Sequence, residues 1–148
     1  MTGMHLRPAR ADDMMLYFSW VNDPVVRKNA FQSEPIDFAT HRGWFAQALS
    51  RSDVSMYVLE VESVPVGQVR LTRQGATALI AYSVAAEHRA HGYGKALLEL
   101  VEKKVSVGTC LLGQVKKDNA ASRHVFVSLG YEESYSIDMD CWEYRKRI

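Results

Sequence analysis

The stretch from Val84 to Ala96, V-A-A-E-H-R-A-H-G-Y-G-K-A, decides how the chain is read. The run Leu79-Ile80-Ala81-Tyr82-Ser83-Val84 enters it as a strand, and Leu97, Leu100, Val101 and Val105 leave it at helical spacing, with Glu99 and Lys103 as an outward i,i+4 pair. Between them lies an Arg-x-x-Gly-x-Gly turn. Without a Cβ at Gly92 and Gly94 the backbone can approach a ligand closely. The unpaired N–H groups of the first helical turn, backed by the helix dipole, favour an anion such as phosphate. Arg89 adds a charge-assisted donor. The glycines fit neither G-x-G-x-x-G nor a Walker loop, since no Gly-Lys-Ser/Thr follows. Taken alone, the loop reads equally well as a tight strand-to-helix turn.

The composition is that of an ordinary globular protein. At 148 residues, 47% hydrophobic and 24% charged, the chain is expected to form one domain over residues 1–148. A net charge of +1 gives no broad field to steer nucleic acid, so any basic site is local. No apolar run reaches the length of a membrane span, and Met1 to Leu6 lacks the apolar core of a signal peptide, which predicts a cytoplasmic protein without a membrane partner. Cys110 and Cys141 form neither a disulfide framework nor a C-x-x-C pattern, and His5, His41, His88, His91 and His124 show no ligand spacing with them. No metal is expected.

Along the chain, His5 to Pro8 reads as a strand and Ala11 to Asn22 as a helix ended by Pro24, with Met14, Tyr17, Phe18 and Val21 as its apolar stripe. A second helix runs from Asp37, its cap, to about Leu49. Met56 to Val61 and Val66 to Arg73 read as a hairpin joined across Glu62-Ser63-Val64-Pro65. Thr77 to Val84 is a third antiparallel strand, followed by a helix from about Gly92 to Ser106 and a buried strand from Cys110 to Val115. Asn119 to Leu129 is a helix with Gly130 past its end, and the remainder is a hairpin, Tyr135 to Arg147, whose edge can pair with a second copy to make a homodimer.

The Arg89, Gly92 and Gly94 positions resemble the pyrophosphate-binding motif of the GNAT acetyltransferase superfamily. A second match lies at Asn119-Ala120-Ala121-Ser122 through Phe126 to Leu129-Gly130-Tyr131, similar to the family's Asn-x-x-Ala/Ser helix ending in Gly-Phe/Tyr. The element order β-α-α-β-β-β-α-β-α-β-β is also the family's. The resemblance implies an α+β fold, a mixed, mostly antiparallel sheet with splayed central strands and flanking helices. It implies acetyl-CoA as co-substrate, its pantetheine arm lying between the strands Thr77 to Val84 and Cys110 to Val115. The residues implied to hold it are Val84, Ala85, Arg89, Ala90, His91, Gly92, Tyr93, Gly94, Lys95, Ala96, Asn119, Ser122 and Phe126. The Val84 N–H is then the donor to the thioester carbonyl. Asn119 either bonds the pantetheine arm or caps its helix.

The chain departs from the family pattern in two places. Many members carry a tyrosine at the position of Phe126 that reprotonates the leaving thiolate, and phenylalanine cannot. The proton is left to water or Ser122, with Tyr82, Tyr131 and Tyr135 as further candidates. The strand before the loop also lacks the usual glutamate, and Glu60 is the carboxylate expected to face the acceptor cleft. The run Trp20 to Lys28, W-V-N-D-P-V-V-R-K, resembles a segment of two subgroups, one acting on amino-sugar nucleotides and one on ribosomal-protein N-termini. It implies acceptor contacts at Asn22 and Arg27, joined by Arg70, Arg73 and Tyr82. The expected activity is N-acetylation of a primary amine, favoured as an amino-sugar nucleotide. A peptide, protein N-terminus or other small amine is the runner-up, and a low-turnover acyl-CoA sensor is a reading from a different class.

Overall fold

The computed structural model describes residues 3–148; Met1 and Thr2, part of the N-terminal stretch read for a leader, lie outside it. The elements are β1 (Met4–Pro8), α1 (Met14–Val21) entered through a 3-10 turn at Ala11–Asp13, α2 (Pro24–Asn29), α3 (Phe38–Ser50), β2 (Val54–Val61), β3 (Val64–Gln74), β4 (Thr77–Val84), α4 (Tyr93–Glu102), β5 (Cys110–Lys116), α5 (Ala120–Ser128), β6 (Glu132–Ser136) and β7 (Cys141–Arg147). The strands form a seven-stranded sheet in the order β1-β2-β3-β4-β5-β7-β6. Only β4 and β5 run parallel; the other pairs are antiparallel. The expected mixed, mostly antiparallel α+β architecture is therefore the observed one.

Side-chain alternation along the strands splits the core in two. On one face Leu59, Val69, Leu71, Ala78, Ile80, Leu111 and Val115 pack against Leu97, Leu98 and Val101 of α4 and Phe126 of α5. On the other, Met56 and Val58 meet Tyr17 of α1 and Phe45 and Ala48 of α3. The first cluster holds the sheet to the helices behind the loop. The second seats α1 and α3 on the sheet.

Several boundaries differ from the sequence reading. The first helix ends at Val21, before Pro24 as expected, but a further short helix follows it, because Asp23 accepts from the N–H groups of Val25 and Val26 and Pro24 occupies its first turn. Proline thus opens α2 as well as closing α1. The β2–β3 turn is Glu62-Ser63, both with positive φ (51° and 68°), as a two-residue hairpin requires. Pro65 lies inside β3, opposite Glu60, where a register shift between Leu59 and Glu60 breaks the regular ladder. Helix α4 stops at Glu102 rather than Ser106, since Lys103 and Lys104 donate back to Leu100 and Val101 in i→i−3 fashion and close it. Within the last hairpin β7 pairs with β5, so the free edge belongs to β6.

A buried ion cluster pins β1 to the start of α1. The Arg7 guanidinium donates to both Asp13 oxygens at 2.8 Å and through Nε to Glu60 at 2.7 Å, and the Arg10 N–H donates to Asp13 at 2.7 Å. The Arg7 hydrogen bonds, against the desolvation that burial imposes, hold the Asp13 carboxyl below the usual carboxylate range. Asp13→Asn is expected to cost about 2–4 kcal/mol at neutral pH, because it leaves Arg7 partly unpaired in a dry site. A depressed folded pKa stabilises above the unfolded value of about 3.9 and is lost as pH falls through the folded one. Urea unfolding of both forms should show the gap shrinking below about pH 4; a gap independent of pH would contradict the assignment.

Candidate active site

Strands β4 and β5 pair only from Thr77↔Cys110 to Ile80↔Gly113 and then part. Ala81 to Val84 and Gln114 to Lys116 therefore flank an open gap. Ala85 N–H donates to the Val66 carbonyl at 2.8 Å, which fixes the alternation of the β3–β4 ladder. Residues 81, 83 and 85 turn their amides to β3, and Tyr82 and Val84 turn theirs to the gap. The Val84 carbonyl accepts from Arg89 Nε at 3.1 Å.

The loop after β4 is built for close approach. Ala90 and Gly92 both have positive φ (65° and 78°), which places a strained alanine beside the glycine that precedes α4. Gly92 caps α4 without any side-chain acceptor. Ala96 N–H closes the first helical bond to the Gly92 carbonyl, so the amides of Tyr93, Gly94 and Lys95 have no intrahelical acceptor. A Cβ on Gly94 would already touch Tyr82 at 3.5 Å, and larger side chains would obstruct the mouth of the gap. His91 stacks on Tyr93 with centroids 5.6 Å apart. Lys95 is exposed, Ala96 half-buried and Ala85 buried. The Arg89 guanidinium, expected to reach for phosphate, is partly engaged: besides the Val84 carbonyl it meets Asp23 at 3.0 Å.

On the α5 side of the gap, the Tyr82 hydroxyl and Ser122 Oγ share a hydrogen bond of 2.8 Å. Burial pushes the Tyr82 phenol upward, with the Ser122 bond pulling the other way, so the phenol stays protonated. Asn119 Oδ1 accepts from Ser122 N–H at 3.2 Å, which is the capping geometry. Phe126 is 1% exposed, packed edge-on to Tyr82 and Tyr131 and stacked on Tyr144. It forms the floor behind the hydroxyl pair rather than a free lining residue.

On the opposite face α2 straddles the gap. Its capping residue Asp23 holds Arg89 at the end of β4, and Lys116 Nζ of β5 donates to the carbonyls of Lys28 and Ala30 at its other end. Asn22 makes two hydrogen bonds of 2.8 Å with the Ile36 backbone, and Arg27 donates to the carbonyls of Val21, Gln32 and Glu34. Asn22, expected to contact the acceptor, instead ties down the Ile36 backbone and does not line the adjacent cavity, whereas Arg27 does. That cavity, about 380 Å³, is lined by Val21, Arg27, Ala30, Gln32, Ile36, Thr40, His41, Trp44 and Arg70. Arg73 points elsewhere, to Ser55 Oγ at 2.7 Å.

The carboxylates are not where the sequence suggested. Glu60 is held at the β1–β2 edge by Arg7 and by His5 at 3.5 Å, with β3 and β4 between it and the gap, so the expectation that it faces the cleft does not hold. Glu143 was missed. Its register opposite Gln114 puts it on the face of α2, one strand from the gap, where Gln114 Nε2 and Arg145 donate to it at 2.9 and 3.0 Å. Alternation in Cys141-Trp142-Glu143-Tyr144-Arg145 carried the signal, but not which strand would lie beside it.

Comparison with known proteins accords with this geometry. The acetyltransferase (GNAT) domain model matches residues 4–132. No curated protein sequence matches the chain. Among solved structures, a domain from Methanocaldococcus jannaschii DSM 2661 superposes with a TM-score of 0.85 at 19% identity, over 98% of both chains. The aminoglycoside acetyltransferase AAC(6')-Ib in complex with coenzyme A gives 0.81 at 12% identity, covering 97% of this chain and 94% of its own. RimL, a ribosomal L7/L12 alpha-N-protein acetyltransferase in complex with coenzyme A, gives 0.80 at 14%, covering 100% and 96%. At these identities the likeness is one of fold.

Proposed function

The chain belongs to the acetyltransferase (GNAT) domain family, and from that premise we propose that it is an acetyl-CoA-dependent N-acetyltransferase that moves the acetyl group directly to a primary amine. The observation that carries this is the gap between β4 and β5, with the Val84 amide turned into it and the uncapped amides of α4 at its mouth. These features fit the co-substrate. Backbone groups along a parted strand suit a peptide-like arm, and a helix start with Gly92 and Gly94 suits a pyrophosphate. No helix among the described residues is long and apolar enough to cross a membrane.

Acetyl-CoA supplies an activated acyl thioester. The amine lone pair attacks its carbonyl carbon, a C–N bond forms, the C–S bond breaks, and the thiolate takes up a proton. The Val84 N–H stabilises the charge that gathers on the carbonyl oxygen. Ser122, hydrogen-bonded to Tyr82, stands one helical turn before Phe126 on α5 and relays a proton from water to the thiolate, ending with its own hydroxyl restored, in place of the tyrosine absent at that position. Glu143 is the carboxylate we assign to the amine's proton, since it lies on the acceptor face one strand from the gap. Asp23 and Arg89 position the loop and α2 together rather than entering the chemistry.

The favoured acceptor is an amino sugar linked to a nucleotide, which suits the two arginines of the α2–α3 cavity. The test is thiol release from acetyl-CoA against nucleotide-linked amino sugars, polyamines and peptides with free N-termini. Turnover with the first class supports this acceptor, and turnover with peptides alone replaces it. Acetyl-CoA binding without turnover on any amine would make the chain an acyl-CoA sensor instead.

A further inference from the structure

Six of the arginines meet carboxylates: Arg7, Arg10, Arg51, Arg89, Arg123 and Arg145. Arg70, in the cavity beneath α2, has no such partner among the described residues. Its guanidinium lies over the Trp44 ring with 5.1 Å to the centroid. Burial is the larger influence on its pKa and lowers it, with a smaller opposing influence from Tyr17, as for a cation desolvated without a counter-ion. The second guanidinium of the cavity, Arg27, is engaged by backbone carbonyls and carries its charge uncompensated. No Asp or Glu lines the cavity. A half-open cavity with two positive charges and no negative one repels a polycationic amine and attracts an anion.

The strand register says where such an anion would sit. Arg70 stands opposite Ala81, on the neighbouring strand and three residues short of Val84. With strands about 4.8 Å apart and about 3.3 Å of rise per residue, their Cα atoms are roughly 11 Å apart. An acceptor anchored by an oxyanion at Arg70 would then extend along the sheet toward the Val84 end of the gap.

We infer that Arg70, whose guanidinium lies over the Trp44 ring, is the specificity residue that selects acceptor amines bearing an oxyanion, phosphate or carboxylate, within the same small molecule. This rests on the acetyltransferase reading but can fail separately from it. Contact with the Trp44 ring restrains the guanidinium, so less side-chain entropy is lost when it takes two oxygens. The selection is against charge as well as for it, because the same lining disfavours polyamines.

The experiment compares kcat/KM of the wild type, Arg70→Gln and Arg70→Lys on three matched pairs: a nucleotide-linked amino sugar and its free sugar, glucosamine 6-phosphate and glucosamine, and the dipeptides Ala-Glu and Ala-Gln. The wild type should prefer the anionic member of at least one pair. In Arg70→Gln that preference should collapse by about 10–100-fold through KM, as expected for a charge-assisted hydrogen bond. Arg70→Lys should keep part of it, and KM for acetyl-CoA should stay within about twofold in both, since the mutated charge lies outside the pyrophosphate loop. The pair that responds tells phosphate from carboxylate. A wild type indifferent to acceptor charge, or an Arg70→Gln that keeps the preference, overturns the inference while acetyl transfer stands. If no amine turns over, quenching of tryptophan fluorescence by inorganic pyrophosphate in coenzyme A-saturated protein decides it: quenching in the wild type and not in Arg70→Gln supports the anion site, and equal response in both ends it. Failure to bind coenzyme A would end the functional reading alone, with the same quenching comparison, made without it, still judging Arg70.

Discussion

Val84→Pro is expected to lower kcat by about 10²–10³-fold, the cost of removing one oxyanion donor, while the protein remains folded. Proline is an unusual choice inside a sheet, since it removes an N–H and fixes φ. Here the N–H it removes makes no bond to β3, because the ladder uses the amides of Ser83 and Ala85 and turns that of Val84 into the gap. Ser83 already has the extended backbone that a following proline demands. The Val84 carbonyl, which anchors Arg89, is untouched by the substitution. Acetyl-CoA affinity should change by less than about tenfold, the worth of one neutral hydrogen bond, so the loss falls on kcat. Rapid-quench or thiol-release kinetics at saturating acetyl-CoA would separate the two, with thermal unfolding as the control. A kcat within about threefold of wild type would place the oxyanion donor elsewhere.

Which of these features the sequence carries, and which it hides, follows from the range of the interactions involved. Strand β4 and the caps at Asp37, Gly92 and Asn119 depend on neighbours within a few residues, and periodicity with turn chemistry finds them. Helix α2, only six residues long, is too short to show a 3.6-residue period, although Asp23-Pro24 is an N-cap with proline in the first turn. The role of Arg89 is split between a near partner and a far one. Its motif position points to phosphate, but Asp23 lies 66 residues away, and no local pattern announces that ion pair. Glu60 and Glu143 fail together for one reason: a carboxylate on a strand has a face from alternation but a distance to the gap only from strand order. With β2 two strands away and β7 inserted next to β5, the nearer one is Glu143. Arg70 was legible as a basic residue on a strand, and its importance lies in the counter-ion it lacks.

Gly113→Ala should destabilise the protein by about 3 kcal/mol and take activity down with it, although a single methyl group is added. Gly113 is the last residue of β5 paired with β4, and a Cβ there would lie 2.3 Å from one Phe126 ring atom and within 2.9 Å of two others. The ring has nowhere to retreat. It is stacked on Tyr144 at 5.2 Å and flanked edge-on by Tyr131 at 4.9 Å and Tyr82 at 6.0 Å. The methyl group must therefore lift α5 or widen the sheet, and either one carries Ser122 away from Tyr82. For a chain of this size the loss corresponds to a fall of about 6–12 °C in Tm. Phe126→Leu in the same background should return part of the stability by vacating the ring's place, whereas Phe126→Leu alone should cost stability through the void it leaves. Thermal and urea unfolding of the four forms is a double-mutant cycle for this contact. A Gly113→Ala within about 0.5 kcal/mol of wild type, or strictly additive costs, would mean that Phe126 does not press on Gly113.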